Sequence, residues 1–140
     1  MKVKPEGIGG WLLVYTIALA IQLVHGIGLT IGATIIYSDP SLASLHTFIP
    51  LWALLFYVIT NLIAACYAIV LFILMFKHRH SAIGNNIAFN ILTISFLVSW
   101  HVLGAKSNVG TVIDVLPGVI GLCYFLVSKR VRNTFTVGIR

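Results

Sequence analysis

The chain has 140 residues, of which 59% are apolar and only 9% charged, with a mean hydropathy of +1.04. Three acids and nine bases cannot clothe a surface in water, so a soluble globular domain is excluded, and the length allows a single domain over 1–140. The net charge of +6 falls in short clusters between apolar runs, a topogenic pattern that names the lipid bilayer as partner and argues against nucleic acid.

After a head holding Lys2, Lys4, Pro5 and Glu6, the first apolar run covers 11–37. Ala18-Leu19-Ala20 resembles a signal-peptide cleavage site, but the apolar stretch continues for seventeen residues to Tyr37, so a retained helix is expected. Asp39, Pro40 and the serines around them end it. The remaining runs cover 51–76, 87–103 and 109–127. A spanning helix needs roughly 20 mostly apolar residues, which all four runs approach or exceed. The first two would each be about 40 Å long if helical, which predicts tilt or protruding ends. No run alternates with period two, so a β-barrel is excluded. The predicted fold is an all-α membrane protein, a bundle of four transmembrane helices.

Loop charge sets the orientation. The loop after the first helix carries no Lys or Arg, and the loop after the third carries Lys106 alone. Lys2, Lys4, Lys77, Arg79, Lys129, Arg130, Arg132 and Arg140 all fall on the opposite face. Eight bases against one place both termini and the Lys77–Ser81 loop in the cytoplasm. Trp11, Tyr37, Trp52 and Trp100 fall near helix ends, where indole and phenol favour the headgroups. Cys66 and Cys123 lie within apolar runs and read as buried, inert small side chains.

Two stretches carry a family resemblance. The opening Gly7-Ile8-Gly9-Gly10-Trp11-Leu12-Leu13 and the closing Tyr124-Phe125-Leu126-Val127-Ser128-Lys129-Arg130-Val131-Arg132-Asn133-Thr134-Phe135 resemble the bacterial DUF2569 membrane proteins. The resemblance implies a multi-pass protein of the bacterial inner (cytoplasmic) membrane and brings no activity with it. On physical grounds the early glycines let the backbone turn tightly, and no phosphate-loop pattern follows them. Lys129, Arg130 and Arg132 stop transfer and offer contacts to anionic lipid, each worth about 1 kcal/mol near the surface.

Polar groups inside the spans are the candidate site, because burying them in lipid is expensive. Counted from the outer helix ends at about 1.5 Å per residue, His101 lies about 6 Å deep and Asp114 about 8 Å. His25 and Asn61 lie roughly 15–17 Å deep, with Gln22 one turn further in. All four helices thus contribute a polar group, and Asp114 is the single acid inside a predicted span. Helices three and four are antiparallel neighbours, so His101 and Asp114 can pair. A proton- or cation-linked path and a set of interhelical hydrogen bonds are both consistent with this group. Gly28 and Gly32 have the spacing of a close helix contact, within the bundle or in a homodimer.

Other chemistry is absent from the pattern. His78 and His80 sit beside Lys77 and Arg79, which repel a metal ion, and they lack thiolate or carboxylate neighbours. His25 and His101 differ in depth by about 11 Å, too far for bis-histidine haem. No cofactor and no metal is implied, and no nucleophile–base pair supports an enzyme. The expected role is a membrane-embedded interaction or accessory subunit with a membrane-protein partner. The alternative is a small dimeric transporter linked to protons or cations. Exporters of the small multidrug resistance type use a glutamate in the middle of helix one, where this chain has Gln22 and His25. Whether Asp114 meets an open interior or packs dry separates the two readings.

Overall fold

The computed structural model describes residues 10–41, 50–103 and 108–136. Lys2, Lys4, Gly7, Gly9, Thr47, Lys106 and Arg140 lie outside these residues. The described chain forms α1 (Trp11–Ser38), α2 (Leu51–Phe76), α3 (Ser81–Val102), α4 (Asn108–Val127) and α5 (Lys129–Thr136). The first four are long and apolar enough to cross a membrane. α1 packs on α2, α2 on α3 and α3 on α4, whereas α1 and α4 barely meet along their backbones. The N-terminal end of α1, the α2–α3 turn and the α4–α5 junction share one end of the bundle, here the terminal end. The other is the loop end.

Three of the four spans match expectation to within a residue, and α3 starts six residues before 87. Its first turns are polar, yet Asn85 and Asn86 donate their side-chain N–H groups to the carbonyls of Ser81 and Ala82 at 2.8 and 2.7 Å. The amides are thereby spent on the helix's own backbone, and Ala82 and Asn86 are fully buried. Before it, α2 ends in a Schellman motif, with Arg79 N–H bonded to Leu74 O and His78 N–H to Met75 O, both at 3.0 Å. His78 takes the left-handed position at φ 47°, where glycine is usual.

A fifth helix replaces the expected basic tail. Ser128 closes α4 through a 3.0 Å bond from its N–H to Tyr124 O, and its hydroxyl then accepts the Val131 N–H at 3.3 Å as an N-cap. In α5, Val131, Thr134 and Phe135 are buried while Lys129, Arg130 and Arg132 are exposed. The apolar face docks on α3. Its residues join Leu12, Leu71, Met75, Phe89 and Phe125 in the core cluster, which lies toward the terminal end.

The aromatic and sulfur residues divide differently from expectation. Trp11 and Trp52 are exposed at helix ends, but Trp100 is 7% exposed and turns inward, its ring 4.6 Å from Tyr57. Cys66 and Cys123 lie on the outer surface of the bundle rather than in its core. Nothing lies within 4 Å of where a side chain on Gly28 or Gly32 would begin, so these glycines do not serve packing within the bundle.

Candidate functional site

Side chains from all four spanning helices enclose a cavity of about 540 Å³. Its floor, toward the terminal end, is a hydrogen-bonded pair. Asn90 on α3 donates its amide to the Tyr15 hydroxyl on α1 at 3.0 Å and to Asn86 O at 2.7 Å. Below it Tyr15 meets Phe125 edge-on at 4.8 Å, which joins α1 to α4 at this level. Gly121 makes that junction possible, since a Cβ there would stand 2.9 Å from both Asn90 Oδ1 and Tyr15 Cε2. Asn86 Oδ1 and the Tyr124 hydroxyl are buried nearby with no hydrogen-bond partner among the described residues.

The wall on the α2–α3 side is aromatic and polar. Asn61 donates to Tyr57 O at 2.8 Å, which leaves its Oδ1 on the side of Gly26 in α1. Thr60 likewise bonds back to Phe56 O at 2.8 Å. Tyr57, Phe96 and Trp100 line the loop-end part of the cavity, and Asp114 belongs to the same lining. On the remaining side the lining residues Ile21 and His25 of α1 and Ile113 and Pro117 of α4 are exposed. The cavity therefore opens sideways, between the two helices that barely touch. Pro117 has no N–H to give the Ile113 carbonyl four residues earlier, so an acceptor loses its helical donor at this rim.

Four of the five polar residues expected at the site, Gln22, His25, Asn61 and Asp114, line this one cavity. His101 does not, and the partner seen for its Nδ1 is Thr111 Oγ1 at 3.3 Å, across the α3–α4 contact. Sequence reasoning passed over Asn90 and Tyr15. Asn90 lies inside the predicted third span at a depth matching Tyr15, a coincidence that depth counting can detect even though neither residue carries charge. Of the expected lipid contacts, Lys129, Arg130 and Arg132 are all exposed. Two of them also touch protein: Arg132 Nη2 donates to Leu126 O at 3.0 Å, and a Cβ on Gly10 would stand 3.4 Å from the Arg130 guanidinium.

Apolar spanning helices around a partly polar interior define a multi-pass integral membrane protein. Over residues 5–136 the sequence matches the family described as protein of unknown function DUF2569, and the chain belongs to that family. No curated protein and no solved structure matches the chain. The two stretches that carry the family resemblance are brought together in space, Gly10 beside Arg130 and Leu12 in one cluster with Phe125, Val131 and Phe135.

Proposed function

We propose that this is a small non-enzymatic membrane protein that binds a small molecule inside the bilayer, as the core of a carrier linked to protons or cations. Its termini lie in the cytoplasm and its home is the bacterial inner membrane. One observation carries the binding role: Asp114 lines an open cavity together with Gln22, His25 and Asn61. A polar residue kept within a span is costly, and its convergence with others on a cavity is the mark of a binding site. The orientation rests on the charge bias of the loops.

A second reading, an accessory subunit that holds a membrane-protein partner, draws on the hydrogen bonds between helices. Asn90 to Tyr15 and Thr111 to His101 are bonds that a purely structural role would also produce. Water access separates the two. In a chain carrying Cys66→Ala and Cys123→Ala, single Gln22→Cys and Asn61→Cys variants are treated in membranes with a small charged thiosulfonate. The reagent needs a hydrated thiolate, so a binding cavity gives modification at both positions. Unmodified thiols mean a dry bundle and decide for the subunit.

A further inference from the structure

The cavity's chemistry is one-sided. Among the described residues Asp114 is the single carboxylate that lines it, and no described Lys or Arg does. Tyr57, Phe96 and Trp100 line the same cavity, the Trp100 ring 4.6 Å from that of Tyr57. A carboxylate with aromatic rings around it is the combination that recognises an ammonium, by charge and by the negative ring faces. Pro117 deprives the Ile113 carbonyl of its helical donor, and Asn61 donates its amide N–H to Tyr57 O. Among the described lining residues His25 is the one able to carry positive charge, and it stands at the exposed rim.

The opening says how the ligand arrives. Ile21 and His25 face Ile113 and Pro117 across a gap that lies within the apolar spans, not at a helix end. A gap at that level communicates with lipid. A molecule that enters through it crosses hydrocarbon first, so it needs an apolar body, and the gap offers that body a place once the head has reached Asp114.

We infer that the occupant of this cavity is an amphipathic cation, taken sideways from the lipid between α1 and α4, its ammonium head at Asp114 and its tail in the gap. The inference rests on the binding role proposed above and adds the ligand's class and route. It covers lipid-derived amines and lipophilic drugs alike, since both present the same head and tail.

Trp100 is the built-in reporter. In a chain with Trp11→Phe and Trp52→Phe, reconstituted in nanodiscs, its fluorescence is titrated with three brominated probes of equal chain length. One bears a trimethylammonium head, one an alcohol and one a carboxylate. The ammonium probe is expected to saturate its quenching at a concentration at least tenfold lower than the other two. Asp114→Asn should bring it to the level of the alcohol, while Asp114→Glu should keep the preference and so exclude a folding defect. Equal quenching by all three probes overturns the cation assignment and leaves the binding role standing. Absence of saturable quenching by any probe overturns both. Native mass analysis of the same samples covers the remaining occupant: two copies sealed across the gap, with no probe retained, would show the second copy in the ligand's place.

Discussion

The two ends of the bundle are built to opposite plans from the same four helices. At the terminal end the core cluster and the Asn90–Tyr15 bond draw the helices together, Tyr15 meets Phe125 between α1 and α4, and α5 docks on α3. Toward the loop end the seam between α1 and α4 is open and the interior is a cavity. The difference comes from small choices. Gly121 lets α4 press against Tyr15, while Pro117, one turn nearer the loops, presents a ring at the rim and removes a backbone donor. In lipid no hydrophobic force draws helices together, so packing and hydrogen bonds decide where a bundle closes. A site can then persist wherever they are withheld.

The sharpest way to break the contrast is at the glycines. A methyl group at Gly121 meets Asn90 and Tyr15 at 2.9 Å, so Gly121→Ala should destabilise by about 1–3 kcal/mol, the range for overpacking. Gly28→Ala meets nothing and should be neutral or stabilising by about 0.5–1 kcal/mol through helix propensity. Unfolding by a graded anionic detergent measures both. Equal effects at the two sites would mean that the terminal end is no tighter than the outer surface of α1.

A smaller effect is expected at the α4–α5 junction. Ser128→Ala removes the N-cap and should cost about 1 kcal/mol, read in the same titration. It should loosen α5 and leave labelling of the cavity cysteines unchanged, because the opening lies further along the bundle.

The smallest effect belongs to the loop end. Asp39 Oδ1 accepts the Ser41 hydroxyl at 2.7 Å and its N–H at 2.9 Å, and these bonds, the hydroxyl's first, hold the carboxyl below its ordinary range. An acid whose pKa is lowered by folding stabilises above its ordinary value, and the contribution is lost as pH falls through the lowered one. Wild type should therefore exceed Asp39→Ala slightly in thermal stability at neutral pH, and the gap should close in acid. Asp39 is half-buried at the end of α1 and its carboxyl remains open to solvent, so screening keeps the effect small.

Much of this was legible in the sequence because lipid imposes a single rule, long apolar runs, and the runs at 11–37, 51–76 and 109–127 obey it. The beginning of α3 was hidden because Asn85 and Asn86 read as loop; only their bonds back to the helix make them compatible with burial. α5 was hidden inside its own charge. Lys129, Arg130 and Arg132 mask the spacing of Val131, Thr134 and Phe135, which is that of one helical face. In the cavity, depth counting brought Gln22, His25, Asn61 and Asp114 to neighbouring levels, since rise per residue is fixed. It could not say which way His101 turns, because rotation about the helix axis is decided by the neighbours. Trp100 was read as an interfacial residue for the same reason.

The meeting of Gly10 with Arg130 also bears on how the molecule is assembled. These residues stand 120 positions apart, 130 minus 10, so α1 is synthesised long before the segment that packs over its first turn. Through the making of three further spans Leu12 waits for Phe125, Val131 and Phe135. The contact that ties the first turn of α1 to α4 and α5 can therefore form only after the three spans that follow α1 have been made.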